Sequence, residues 1–423
     1  MSPRLLVFSN DHVSTRMAGP AIRAYELARW LAPDFEVTLA APFATDLDAV
    51  GFEIAQVDSG DHAQVTDLSA RFDAVLAQWL PPETMVSLAR TGIRAVYDLY
   101  DPAPIEQLAV SAATPGFEQE RNARLIALRL RVALTAGDAF VCATERQRDL
   151  WLGYLAAVGR LDQEHYLRDT KLRSLIDVVP FGIDPDPPQQ GPPVLKGVVP
   201  GIGKEDRVLI WGGGIWDWLD PQTVIFAVAE LASRRDDVRL YFMGLARPNP
   251  FVPRMEMSRR AVDLSEKLGL LGRVVFFNET WCPYRDRGAY LMEADLGVLA
   301  HFDNVESRFA WRTRLLDCLW AGLPVVTTRG DVLSDLIAAK GCGRAVGAES
   351  VEAWVRALAE LLDRRRIYRS ARKNISQLRK QFEWPRVVRP LRALLSVPGQ
   401  PLRDTELLDR ALEQYLAATA EGG

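Results

Sequence analysis

Short apolar runs recur along the chain, each followed by a longer segment whose apolar residues return every three or four positions. The alternation occurs twice. In the first half the runs are residues 5–8, 37–39, 74–76, 95–97 and 139–141; in the second they are 208–211, 240–243, 274–277, 296–299 and 325–327. Runs this short, without polar alternation, suit strands buried on both faces. Helical periodicity between them suits parallel sheets with helical crossovers. Residues 184–204 hold prolines and glycines too densely for either element. The pattern therefore predicts an α/β protein of two doubly wound, Rossmann-like domains. The first spans residues 1–185, a linker 186–204 and the second 205–385, with tail helices at 386–423. Two such domains facing one another would bind ligand in a cleft at the carboxyl ends of their strands.

Two loops at strand ends carry candidate chemistry. After the strand at 208–211 the chain reads WGGGIWDWLDPQT, where Asp220 and Pro221 form an N-cap and first-turn pair. Gly213 and Gly214 beside a helix amino terminus offer backbone N–H groups to a phosphate, and Trp216 or Trp218 either stacks on a ring or packs against the sheet. Further on, NVESRFAWRTRLLDCLWAGLPVVTTRGD (304–331) predicts a helix capped by Ser307 and stopped at Ala321-Gly322 before the strand at 325–327. At 100° per residue Glu306, Ala310, Thr313 and Asp317 fall on one stripe, putting two carboxylates on one side. A carboxylate accepts from sugar or ribose hydroxyls, and the planar cations of Arg312 and Arg314 suit a diphosphate. Alternatively, Asp317 pairs with Arg314 on a solvated face.

Composition narrows the partners. The 423 residues carry a net charge of −4, which argues against nucleic acid held by bulk charge and leaves a small molecule. Four cysteines without metal-ligand spacing suggest free thiols in a reducing, cytoplasmic setting. The beginning lacks a cleavable signal pattern, and no stretch reaches the length of a membrane span. The four histidines show no metal spacing either, and His301 reads as a residue satisfied by its neighbours. From Arg364 to Arg392 the one acidic residue, Glu383, faces eleven Lys or Arg. That is either a solvated helix surface or a peripheral attachment to anionic lipid.

The 304–331 segment resembles the donor site of the retaining glycosyltransferases of family 4, which have the GT-B fold. There a glutamate precedes an Ala-x-Gly-x-Pro-Val-Val run, and a second stands eight positions earlier. Asp317 takes the nearer place and by the resemblance binds ribose hydroxyls. The farther place is Phe309, so the contact to the donor sugar passes to Glu306. The resemblance also implies that the loop 278–284, with Asn278 and Thr280, receives the base, and that Gly19, in RMAGPAIRAYELARWLA, lies near the diphosphate. Family members often carry His-Asp where this chain has Tyr100-Asp101; Asp101 either orients an acceptor hydroxyl or bonds its own turn. Val-Pro-Phe-Gly-Ile-Asp (179–184) resembles the family's run before the linker, and Phe-Glu-Trp (382–384) the run before its final helices, which cross back to the first domain. The implied activity is metal-independent transfer of a sugar, with retention, from a nucleotide-diphosphate sugar to a glycan, lipid-linked or small-molecule hydroxyl. No cofactor beyond that donor substrate is implied. The rivals are a GT-B epimerase, a phosphorylase, and a non-catalytic binder of sugar nucleotide or partner.

Overall fold

The computed structural model describes residues 2–113, 116–245, 255–399 and 404–420. The chain divides into two compact units, one formed by Met1–Phe181 with Pro385–Gly423 and the other by Gly182–Trp384.

The first unit holds seven strands: β1 (Arg4–Phe8), β2 (Glu36–Ala41), β3 (Glu53–Gln56), β4 (Ala74–Ala77), β5 (Arg94–Asp98), β6 (Ala139–Cys142) and β7 (Ile176–Val178), in the order β3-β2-β1-β4-β5-β6-β7. Every adjacent pair is parallel. Central strands β4 and β6 are buried at every position, as their unbroken apolar runs predict. The helix Thr405–Ala420 belongs to this unit, with Leu408 and Ala411 in its core and Arg131 donating to Gln414 at 2.7 Å.

The second unit has β8 (Arg207–Trp211), β9 (Val238–Phe242), β10 (Val275–Phe277), β11 (Leu296–Leu299), β12 (Val325–Thr328) and β13 (Gly343–Val346), in the order β10-β9-β8-β11-β12-β13. All pairs are again parallel. All ten expected strands are present. The three that hydrophobicity missed, β3, β7 and β13, are sheet edges; β3 is buried at none of its positions, so it carries no apolar run to detect.

Residues 186–204 contain no helix or strand but are tied to the second unit. The backbone N–H groups of Val194, Leu195 and Lys196 donate to the Glu293 carboxylate at 2.6, 3.1 and 2.8 Å, and Leu195 is fully buried. Two motifs far apart in sequence meet here: Ile183 N–H donates to Phe382 O at 2.8 Å and Trp384 N–H to Ile183 O at 3.0 Å. A Cβ on Gly182 would run into the Trp384 indole, so this position demands glycine.

Candidate functional site

In the second unit the chain runs outward through β8, β9 and β10, then returns to place β11 against the other side of β8. This reversal is the switch point where doubly wound sheets bind ligands at the carboxyl ends of their strands. The loop 212–220 leaves β8 there. Asp220 caps the helix Pro221–Ala232, accepting from Thr223 N–H at 3.0 Å with Pro221 in the first turn, as the sequence predicts. The rest of the loop is pinned to the helix Glu256–Lys267: Met257 N–H donates to Asp217 at 2.8 Å and Ser258 Oγ to Ile215 O at 3.0 Å. Trp216 and Trp218 stack on each other, ring centres 5.4 Å apart.

The glycines of this loop have different causes. Gly213 has φ +74°, which favours glycine outright. A Cβ on Gly214 would lie 2.9 Å from the Trp281 ring, and one on Gly244, after β9, 3.0 Å from the same ring. Trp281 thus lies over both and accounts for them, a contact that no spacing in the sequence announces. Gly212 would meet only Arg314 Cβ, at an ordinary 3.8 Å.

Arg314 reaches this loop from the helix Thr313–Trp320. Its Nη2 donates to Gly214 O at 2.9 Å, and its guanidinium carbon lies 5.9 Å from the centre of the Trp216 ring. Arg314 is half-buried, so a permanent cation stands against the glycine loop.

The 304–331 segment corrects the expected single helix. Asn304, not Ser307, caps a short helix Val305–Phe309, accepting from Ser307 N–H at 3.0 Å. Ala310 is extended (φ −66°, ψ 146°), and a second helix, Thr313–Trp320, begins after it. The break removes the stripe of Glu306, Ala310, Thr313 and Asp317. Glu306 turns inward with Ser307 while Phe309 stays half-exposed. Arg312 crosses the break to grip Glu306 with both terminal nitrogens, at 3.0 and 2.7 Å, each side chain 4% exposed.

Asp317 pairs with neither Glu306's helix nor Arg314. Its Oδ1 accepts from Arg287 Nε at 3.1 Å, and its side chain remains 34% exposed. The Arg287 guanidinium lies between the rings of Tyr284, 3.8 Å away, and Trp320, 4.4 Å away, and donates to Tyr284 O at 2.7 Å. The sequence reading missed Arg287. It joins the 278–284 loop to the Asp317 carboxylate. At the head of that loop Asn278 donates to Met243 O at 3.0 Å and accepts from Thr280 Oγ1 at 3.0 Å, a self-bonded turn at the end of β10.

His301, after β11, is fully buried; its ring meets Phe302 O at 2.9 Å and Asp331 at 3.2 Å. Asp331 caps the helix Val332–Ala339 through Leu333 and Ser334 N–H, both at 2.9 Å. Burial alone would raise the Asp331 carboxyl. The His301 hydrogen bond, the Arg312 charge and the Ser334 hydroxyl outweigh that and hold it below the usual carboxylate range.

In the first unit Gly19 opens the helix Gly19–Leu31, and a Cβ there would meet nothing within 4 Å. Arg23, one turn on, is fully buried against Asp98 at the end of β5; its Nη2 donates to Asp98 Oδ1 at 2.9 Å and to Val179 O at 2.8 Å. Asp101 lies just beyond, where Ala103 N–H donates to its carbonyl at 2.8 Å. Thr144 caps the helix Glu145–Ala157, accepting from Gln147 N–H at 3.0 Å. Among the described residues no group of three or more His, Cys, Asp or Glu is placed to hold a metal ion.

This architecture is that of the GT-B glycosyltransferases: two parallel-sheet, Rossmann-like units. WaaG, a glycosyltransferase involved in lipopolysaccharide biosynthesis, superposes with a TM-score of 0.62 at 19% identity over 92% of this chain and 98% of its own. Anabaena HepE in complex with UDP and glucose gives 0.64 at 13% identity over 93% and 99%. Sucrose-phosphate synthase from Thermosynechococcus elongatus gives 0.63 at 12% over 98% and 100%. Residues 206–364, most of the second unit, match the family model described as glycosyl transferases group 1. No curated protein sequence matches the chain.

Proposed function

We propose that the protein transfers a sugar from a nucleoside-diphosphate sugar to an acceptor hydroxyl with retention of configuration. The observation that carries this reading is Arg314 laid against the Gly212–Gly214 loop at the switch point, within the stretch that matches the group 1 family. Arg314 and the loop's N–H groups would take the diphosphate, neutralising the charge that develops as its bond to the anomeric carbon breaks, without calling on a divalent ion. Asp317, held on one oxygen by Arg287, would accept from the ribose hydroxyls, and the 278–284 loop would receive the base. HepE is complexed with UDP, which makes uracil the first base to test. The acceptor oxygen bonds to the anomeric carbon on the face the diphosphate leaves, and within the first unit Asp101 and Gly19 are the candidates by resemblance for the acceptor side. Glu306 and Arg312, bound to each other, position the turn that delivers Arg314 rather than touch substrate. A second reading, binding without turnover, is favoured by that same burial of Glu306, because Phe309 supplies no carboxylate in its stead.

The test is thermal shift against UDP, GDP, TDP and ADP and their sugar conjugates. One nucleotide at about 100 times its Kd should stabilise the protein by about 2.7 kcal/mol. Arg314→Ala and Asp317→Ala should both lose that stabilisation while remaining folded. Stabilisation by none of the nucleotides refutes the donor site. Stabilisation without sugar release to any acceptor or water moves binding without turnover to first place.

A further inference from the structure

The helix Arg365–Leu378 is built unlike the chain's other charged helices. Its Ala371, Ile375 and Leu378 are buried, while Arg365, Arg366, Arg369, Arg372 and Lys373 are exposed, with Lys380 one turn on. At 100° per residue these cations fall within about 120° of circumference, opposite the buried residues. No acidic residue lies between Arg364 and Phe382. Solvated helix faces elsewhere in the chain lace acid with base: Arg168 with Glu164, Arg234 with Glu230, Arg259 with Glu256 and Asp263, Arg356 with Glu352. None of these six cations, five on the helix and Lys380 just past its end, joins an ion pair among the described residues. The chain as a whole carries a net charge of −4, so the stripe is a local concentration on an acidic protein rather than a general excess of base.

We propose that this stripe docks the protein on an anionic lipid bilayer. About 12 Å of helix from Arg365 to Lys373, at 1.5 Å per residue, presents five flexible cations on one face, which a plane of negative headgroups can meet all at once. The stripe holds no aromatic side chain to stack on bases, and Tyr368 lies off it and is half-buried, so nucleic acid is the poorer match. No helix among the described residues is long and apolar enough to cross a membrane, and the stripe carries no apolar residue to insert. The attachment is therefore electrostatic, reversible and screened by salt. It does not depend on the sugar-transfer reading.

The experiment is co-sedimentation of the full chain with phosphatidylcholine vesicles containing one-third phosphatidylglycerol, against phosphatidylcholine alone. Binding is expected to the anionic vesicles only at about 0.15 M salt and to vanish near 1 M, where the screening length falls to about 3 Å. The variant R365Q/R366Q/R369Q/R372Q/K373Q should lose more than tenfold in partitioning, and the lighter R365Q/R369Q/K373Q an intermediate amount, with both keeping the parent's Tm. Neutralising paired cations elsewhere, in R234Q/R259Q/R260Q, should change nothing. Failure of the parent to bind anionic vesicles overturns the proposal. So does binding that the five-fold variant retains, or displacement from vesicles by duplex DNA at equal phosphate.

Discussion

One carboxylate–arginine pair spans the break at Ala310 and another lies beyond it, and the fold treats them oppositely. Glu306 and Arg312 close on each other in the interior, both 4% exposed, whereas Asp317 meets Arg287 at the surface with 34% of its side chain open to solvent. The first pair closes both carboxylate oxygens on the two terminal nitrogens of Arg312; the second holds its carboxylate by one oxygen and leaves it able to accept from a ligand. Availability to substrate depends on which hydrogen bonds the fold has already made, and two carboxylates eleven positions apart fall on opposite sides of that line.

The comparison is broken most forcefully at Glu306. Glu306→Ala leaves Arg312 buried and unpaired and should cost about 3–5 kcal/mol, read as a lower urea midpoint, while Glu306→Leu with Arg312→Met should recover most of it. A single variant within 1 kcal/mol of the parent would mean the pair is not structural. Next is Asp331, which Arg312 also stabilises. Asp331→Ala removes a cap worth about 1 kcal/mol and orphans buried partners at about 1–3 kcal/mol, so a loss of about 2–4 kcal/mol is expected.

Asp331 also gives a pH signature. Its folded pKa is depressed, so its contribution is present above the unfolded value near 3.9 and is lost as pH falls through the lower folded value. The acid limb of stability against pH should flatten in Asp331→Asn; an unchanged limb would remove Asp331 as its origin. Asp317→Ala should behave the other way from Glu306→Ala. Its stability should change by no more than about 1 kcal/mol, because the Asp317 end of the pair is open to solvent, while nucleotide affinity falls at least about tenfold, near 1.4 kcal/mol. The smallest effect on folding belongs to Gly19→Ala: Cβ meets nothing, so stability should hold or rise by about 0.4–1 kcal/mol. Turnover should nevertheless drop, and undiminished turnover would take Gly19 out of the site.

Much of the fold was legible because buried parallel strands are short apolar runs whatever surrounds them. Three of the four edge strands were not, since half-exposed residues such as Glu53–Gln56 carry no such run. At the site, the glycine loop, Arg314 and Asp317 could be named from chemistry and resemblance, and the cap at Asp220 from local geometry. Arg287 and Trp281 could not, because each acts through contacts with residues distant along the chain: Asp317 for one, Gly214 and Gly244 for the other.

Local order and composition thus determined the two α/β units, the glycine turns, the absence of metal-ligand spacing and the candidate cations. Tertiary structure decided which charges remain open. The helix before Arg312 breaks at Ala310, and Glu306 finds a buried cation across that break, a balance between desolvation and pairing that neighbours in space set. The extended Ala310 lies between a carboxylate closed on a buried cation and one that can meet a ligand.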